Sequence, residues 1–300
     1  MKLEQEPLVS VILINYNGSS DTIECVESLT KVTYDNLKII VVDNASTDNS
    51  LEILKKHLHH ENVIIVESPE NNGFSAGNNL GIQQARKLQS DYMLILNNDT
   101  LVEPDFVEPL LEVFDSEEQV GCVISKILYA SEPDKIWYAG GTFNPWFCRA
   151  DHQSFNAADN KMDEVKPVEF ASGCCMLLSE EAINKTGLMD EDYFLYVEDT
   201  EYSLRLRRAG FKIMYTSDSV IYHKVSATTS AGSDLSQYYT IRNTLYLGKA
   251  YSSFLQKLTT MVYNVAFYTH KVITGQYKIK NIVAAQVDYH SGIVGRSERF

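Results

Sequence analysis

Positive charge is scarce in this chain: 26 Lys and Arg stand against 40 Asp and Glu, a net charge of −14. Nonspecific nucleic-acid binding needs clustered basic side chains to displace phosphate counterions, so the acidic balance excludes that class of partner. The same deficit means that a site for an anionic ligand needs local help, from a cation or from helix N-termini. Long hydrophobic runs are missing as well. The N-terminal one, in MKLEQEPLVSVILINYNG, stops at Asn15, and the longest uncharged stretch near the C-terminus runs only from Leu258 to Thr269. The first is too short for a signal peptide, and neither matches the roughly 20 apolar residues of a bilayer span. The expectation is a cytoplasmic protein without a transmembrane segment. Cysteine numbers only five (Cys25, Cys122, Cys148, Cys174 and Cys175), an odd count without metal-ligand spacing. That argues against a disulfide framework and for reduced, mostly buried thiols. With seven prolines and 15 glycines the chain is neither collagen-like nor a linker. What remains is an ordinary globular composition, 44% hydrophobic and 22% charged, over 300 residues. That is enough for one large domain or two ordinary ones.

The first hundred residues alternate strand and helix signals. Continuous apolar runs at Val9–Ile14, Leu37–Val42, Val63–Val66 and Tyr92–Leu96 are separated by helical patterns at about 21–29, from Asp48 onward, and at 76–88. Runs of this kind are strands buried on both faces, and their spacing by helices predicts a doubly wound, mostly parallel sheet. After residue 100 a helix is expected at 104–114 and a strand at 120–128. The polar, aromatic-rich stretch 137–165 is either a hairpin or an active-site loop. Val168–Leu178 reads as one strand broken at Gly173, Asp199–Ala209 as a helix, Lys212–Tyr215 as a strand, and the chain from Ser236 onward as helical.

Ligands of parallel sheets bind beyond the carboxyl ends of the strands. Three of these strands end in polar residues: Asn15–Asn17, Asp43–Ser46 and Asn97–Asp99. Each has a bland alternative, namely a capped strand–helix turn for Asp43 and a solvated turn for Asn97–Asn98–Asp99. Further on, Glu198–Asp199 opens a helix behind the aromatic stretch YFLYV. A carboxylate there suits a general base, although acids also favour helix starts for the dipole alone. His223 closes the apolar run SVIYH, as a metal ligand, a proton acceptor or a structural histidine. Arg242, in QYYTIRNTLYL, can grip a diphosphate or simply stack on its tyrosine neighbours. Gly73–Phe74–Ser75–Ala76–Gly77 matches the G-x-S-x-G nucleophile elbow, and Asp199 and His223 follow in hydrolase order. An elbow needs a strand running straight into the serine, and here the polar stretch 67–72 intervenes.

In order and spacing, VSVILINYNG, IIVVDNASTDNS, NNGFSAGNNLGI, LILNNDT, FASGCCMLL, EDTEYSLRLRRAGFKI, His223 and YYTIRNTLYL resemble the inverting family 2 glycosyltransferases of GT-A fold, over about residues 8–250. The resemblance implies an α/β architecture with a Rossmann-like, mostly parallel central sheet flanked by helices. It implies a catalytic domain over 1–235, with its nucleotide-binding part at about 1–100 and its acceptor part at about 101–235. A helical C-terminal segment would follow at 236–300. It further implies that Asp43 reads the nucleotide base with Asn15, Asn17 and Ser46 nearby, and that Asn72, Gly73 and Asn78 lie along the nucleotide side of the cleft. Asp99 would bind a divalent metal (Mg²⁺ or Mn²⁺) carrying the donor diphosphate, beside Asn97 and Asn98 and with help from His223. Asp199 would be the base, with Glu198 as its fallback, and Arg242 would neutralise the leaving diphosphate. Asn97 stands where the family's D-x-D motif has its first Asp, a version similar to members that use dTDP-L-rhamnose. A UDP-sugar donor (galactose, glucose or N-acetylhexosamine) and a noncatalytic nucleotide-sugar-binding scaffold are the alternatives. The acceptor implied is a glycan or a lipid-linked sugar in cell-surface polysaccharide synthesis.

The charge is unevenly spread. Residues 248–300 carry seven Lys or Arg and two acids, a net +5, which leaves −19 for residues 1–247. Phe254, Leu258, Met261, Val265 and Tyr268 recur there at helical spacing. A basic helix of this kind either lies on the inner face of an anionic membrane or packs on the catalytic domain or the second copy of a homodimer.

Overall fold

In the computed structural model, residues 6–160, 164–225 and 232–299 are described. Strands β1 (Val9–Asn15), β2 (Leu37–Asp43), β3 (Val63–Glu67) and β4 (Tyr92–Leu96) alternate with helices α1 (Ser19–Leu29), α2 (Ser50–His57) and α3 (Gly73–Lys87). The short β5 (Thr100–Val102), α4 (Glu108–Ser116), β6 (Val120–Tyr129) and β7 (Glu132–Tyr138) come next. They lead to β8 (Gly141–Asn144), β9 (Arg149–His152), β10 (Val165–Val168) and β11 (Cys175–Ser179). Helices α5 (Glu180–Thr186) and α6 (Glu198–Arg208) then precede β12 (Lys212–His223). Helices α7 (Asp234–Tyr251), α8 (Phe254–Ile273) and α9 (Ile279–His290) complete the chain.

The main sheet runs β10-β12-β6-β11-β4-β1-β2-β3, with β5 paired to β12 and β7 to β6. Strands β3, β2, β1 and β4 are mutually parallel. β11 is antiparallel to both β4 and β6, and β12 lies parallel to β6. The α/β, mostly parallel expectation holds. Val11, Ile12, Leu13, Ile39, Ile40 and Leu94 are fully buried, each contributing about 1.5–3 kcal/mol relative to exposure. Gly81 lets α3 press on this layer, since a Cβ there would come 2.2 Å from Ile12 Cγ2.

Several expectations are corrected. The stretch expected as one strand at 168–178 is two: β10 ends at Val168 on the sheet edge, and β11 lies between β4 and β6. Helix α3 starts at Gly73, not Ala76, and α4 starts at Glu108. The strand expected at 212–215 runs on through an irregularity between Thr216 and Val220 to His223. Within 137–165, β8 and β9 form the hairpin. All five cysteines are free and buried, as expected.

The C-terminal helices have a small core of their own. Tyr238, Tyr239 and Ile241 of α7, Tyr268 of α8 and Ala285 of α9 pack with Phe194, in the loop before α6. No described helix is long and apolar enough to cross a membrane.

Candidate active site

The carboxyl ends of β1 and β2 lie side by side, with Asn15 opposite Asp43. Asn15 Nδ2 donates to Asp43 Oδ1 at 2.7 Å and to Ser46 Oγ at 3.1 Å. Ser46 donates to Asp43 from both Oγ (2.6 Å) and backbone N (3.0 Å). Asn17 joins through its own N–H to Ser46 Oγ at 3.0 Å, and its Oδ1 accepts from Thr47 N at 2.8 Å. Asn98 Nδ2 donates to Thr22 Oγ1 at 2.8 Å, and that hydroxyl donates on to Asn15 Oδ1 at 2.9 Å. One chain of hydrogen bonds therefore ties the end of β4 to the end of β2 and fixes the Asp43 carboxylate. Thr22, on α1, is a member that no motif marks.

The start of α3 closes this side. Asn44 Nδ2 donates to Gly73 O at 3.0 Å and to Asn71 Oδ1 at 3.1 Å, while Asn71 Oδ1 also accepts from Gly73 N. Gly73 has φ +91°, and a Cβ there would sit 2.0 Å from Phe194 O. Only glycine permits that approach, which lets Phe74 N donate to Phe194 O at 2.7 Å. Asn72 bonds outward to Glu70 Oε1 at 3.0 Å. Asn78, expected along the cleft, instead has no exposed surface and donates back to Phe74 O at 3.0 Å. Ser75 lies inside α3, fully buried, with no strand running into it, so the elbow match is only a string.

After β4, Asn97 N donates to Cys174 O at 3.0 Å, and Asn97 O accepts from Thr100 Oγ1 at 2.7 Å. Strand β5 then pairs Thr100 with His223, and this register brings Asp99 Oδ1 to 3.1 Å from His223 Nε2. Trp137 packs edge-on to the His223 ring at 4.5 Å, and His223 Nδ1 is buried without a hydrogen-bond partner. Among the described residues, no group of three or more His, Cys, Asp and Glu side chains could hold a metal ion. One carboxylate and one imidazole fit instead a hard cation that takes its other ligands from a phosphate-bearing substrate and water.

Helix α6, tied to the end of β4 through Gly173–Cys174, whose Cys174 O accepts from Asn97 N and whose Gly173 N donates to Asp199, begins after two non-glycine residues in the left-handed region, Tyr196 (φ 67°) and Val197 (φ 74°). Such conformations cost on the order of 1–3 kcal/mol each and persist only where surroundings over-determine them. Here Asn243 of α7 does so, donating to Leu195 O at 2.9 Å and Tyr196 O at 2.8 Å. The turn delivers Glu198 and Asp199 into different environments. Asp199 accepts from Gly173 N at 3.0 Å and from Thr200 N at 2.6 Å. Burial pushes its carboxyl up, and these donors oppose the push. Glu198 Oε2 is buried with no partner, and burial, then the neighbouring Asp199, drives its carboxyl well above the usual range. Burial thus works against ionisation of both carboxyls, with N–H donors to offset it at Asp199. Beside the turn opens a cavity of about 340 Å³ lined by Arg149, His152, Phe170, Tyr196, Thr200 and Thr244.

Arg242 does not join the site. It is fully buried, its guanidinium donating to Gly295 O (2.8 Å), Asp192 O (3.4 Å) and Asn243 Oδ1 (3.0 Å). It also lies over the Tyr239 ring at 4.8 Å. Where a diphosphate grip is expected, the guanidinium is occupied here by main chain of the C-terminal tail and of the loop before α6.

The parallel β3-β2-β1-β4 half, continued by the antiparallel β11 and flanked by helices, is the architecture of a GT-A glycosyltransferase scaffold. Residues 10–187 match the model of Glycosyl transferase family 2, and the chain belongs to that family. It is similar to the low-salt glycan biosynthesis hexosyltransferase Agl10 of Haloferax volcanii, 26% identical over 71% of this chain and 66% of that one. It also resembles an N-acetylglucosaminyl-diphospho-decaprenol L-rhamnosyltransferase of Mycobacterium tuberculosis, 24% identical over 74% of this chain and 78% of that one. The chain spans only 42% and 17% of two other relatives, the glycosyltransferase GlyG of Streptococcus pneumoniae and a chondroitin synthase of Escherichia coli. Among solved structures, GalNAc-T7 with UDP, GalNAc and Mn²⁺ shares the fold, with a TM-score of 0.67 at 18% identity over 82% of this chain and 48% of that one.

Proposed function

We propose that this protein transfers a sugar, with inversion, from dTDP-L-rhamnose to a hydroxyl of a glycan or lipid-linked acceptor in cell-surface polysaccharide synthesis, on the cytoplasmic side. The observation that carries the reading is that two groups stand on separate elements. Asp43 and the Asp99–His223 pair lie at the strand ends, and in this reading the Glu198–Asp199 pair at the start of α6 works from the opposite side of the donor. Inversion needs a base on the face of the anomeric carbon opposite the leaving diphosphate. Asp199 takes the proton of the acceptor hydroxyl as its oxygen attacks that carbon. The bond to the diphosphate breaks, and its electrons leave with the diphosphate. Glu198, neutral, adds no second charge next to the attacking oxygen. Asp43, held by Asn15 and Ser46, suits hydrogen bonding to the N–H of a pyrimidine base. Asp99 and His223 would hold a Mg²⁺ or Mn²⁺ ion together with the donor. When bound, such an ion neutralises charge on the departing diphosphate, often the largest catalytic contribution.

Two features support rhamnose: the Asn97–Asn98–Asp99 version of the metal motif, and the name of the mycobacterial relative. The test is nucleoside diphosphate release across dTDP-, UDP- and GDP-sugars, with NMR of the product anomer. Release is expected to be fastest with dTDP-L-rhamnose. A UDP-sugar preference would overturn the donor, and no release with any donor, with or without acceptors, would favour a noncatalytic scaffold.

With so few protein ligands, metal and nucleotide are expected to bind as a unit. Calorimetry should show Mn²⁺ binding at least about tenfold tighter with dTDP present than without, and turnover should vanish in EDTA. Undiminished turnover in EDTA would remove the role given to Asp99.

A further inference from the structure

Helix α8 is amphipathic in the wrong sense for a surface helix. Its inward side chains are Thr260, Asn264 and Tyr268, two of them small and polar. Its outward ones include Phe254, Leu258, Met261, Val262, Val265 and Ile273, each between 49% and 80% exposed. Phe254, Leu258, Met261 and Val265 recur every three to four residues, which places them on one side of the helix. Ile279, Val283 and Val287 extend this apolar surface along α9. Between α7, α8 and α9 the surface folds into an open groove of about 660 Å³, to which Met261, Val265, Ile273 and Ile279 belong. Exposed apolar area of this extent marks an interaction site.

Charge says what covers it. Between Asp234 and Asp288 there is no Asp or Glu at all, in a chain of net charge −14. The same stretch carries Lys249, Lys257 and Lys271, with Lys278 and Lys280 both paired to Asp234 at 2.8 Å, besides the buried Arg242. Lys249 and Lys257 line the groove itself. A second copy meeting this face across a two-fold axis would set lysine against lysine. An anionic lipid surface meets it with the opposite charge and accepts the apolar side chains below its headgroups.

A third observation comes from a different part of the chain. The turn between β8 and β9 is docked on α8: Trp146 O accepts from Thr259 Oγ1 at 2.8 Å and Thr260 Oγ1 at 3.1 Å, and Phe147 stacks on Tyr263 at 4.5 Å. The Trp146 ring is left half exposed beside the apolar face. Tryptophan concentrates at the headgroup level of membranes, where its ring is buried and its N–H stays wet.

We propose that the α8–α9 face, with its groove and Trp146 at its margin, seats the protein on an anionic lipid bilayer without crossing it. Thr244 lines both the groove and the cavity bounded by Val197 and Thr200, so the docking face adjoins the start of α6. This goes beyond the proposed transfer reaction, and its test needs no turnover, so the two readings fail separately.

The test is co-sedimentation of the full chain with phosphatidylglycerol–phosphatidylcholine vesicles and with pure phosphatidylcholine vesicles, alongside tryptophan emission. Binding is expected to the anionic vesicles, to weaken with salt, and to shift the emission to the blue. The shift should vanish in Trp146→Phe, which leaves Trp137 as the remaining tryptophan. Leu258→Glu with Val265→Glu should abolish sedimentation at an unchanged melting temperature. Lys249→Ala with Lys257→Ala should weaken it about tenfold or more. Three results would each overturn the proposal: no partition into anionic vesicles, partition unchanged in the Leu258→Glu/Val265→Glu variant, or a dimer in light scattering that this variant dissolves while vesicle binding is absent.

Discussion

Replacing Asp199 with Asn lowers turnover by about 10²–10⁴-fold, the usual cost of losing a general base, with donor affinity unchanged. Asparagine keeps the size of the side chain, and its oxygen still accepts from Gly173 or Thr200 N–H, so the turn before α6 survives. What it lacks is a site for the acceptor proton. Glu198→Gln is the informative companion. Burial and the neighbouring Asp199 push the Glu198 carboxyl well up, so an uncharged isostere changes little of the site's charge, and turnover stays within about tenfold of the parent. The reverse outcome, a silent Asp199→Asn and a dead Glu198→Gln, would exchange the two roles. The pH profile gives a second readout. Burial raises the Asp199 carboxyl from its ordinary value of 3.8, and only the ionised form accepts a proton. Activity therefore falls as pH drops through the raised value. The acid limb of kcat/KM lies above that of an exposed aspartate.

How far the sequence goes depends on how local the determining contacts are. Strands β1 to β4 are legible because buried parallel strands write themselves as continuous apolar runs, and the residues that terminate them sit where ligands of such sheets belong. Asp43, Asp99 and Asp199 could thus be singled out in advance. The pairing of Asp99 with His223 depends on β5, three residues too short to leave a pattern, whose register with β12 aligns them. The break at Gly173 was visible, but not that the chain moves across the sheet there, from β10 on the edge to β11 beside β4. Nor does any local signal mark Val197, a β-branched residue in a left-handed turn, because the side chain that holds the turn, Asn243, arrives about 50 residues later. For α8 the apolar period was readable, but its direction was not. A helical pattern tells which residues share a face and nothing about whether that face looks inward.

Arg242 yields the second large effect. From YYTIRN a guanidinium beside tyrosines looks like a phosphate grip. The structure spends it on Gly295 O and Asp192 O, and on the face of Tyr239, with no surface exposed. Gly295 N in turn donates to Asp192 O at 2.7 Å, so the arginine clamps the C-terminal tail to the loop that leads into α6. Arg242→Ala removes the guanidinium donor from Gly295 O while Asp192 O keeps Gly295 N–H, and a cavity in place of a large buried side chain adds to the loss, together about 1–3 kcal/mol or more. A fall in melting temperature of several degrees is expected. Deleting residues 292–300 removes the same contacts from the other side. The two changes should therefore overlap: the double variant melts close to the less stable single one, a non-additivity that only shared partners produce. Turnover falls in both, because the loop that positions Glu198 and Asp199 loses its clamp. Unchanged melting in Arg242→Ala with turnover lost would instead return the arginine to the donor diphosphate. The tail would then have to leave Gly295 O for the guanidinium to reach it.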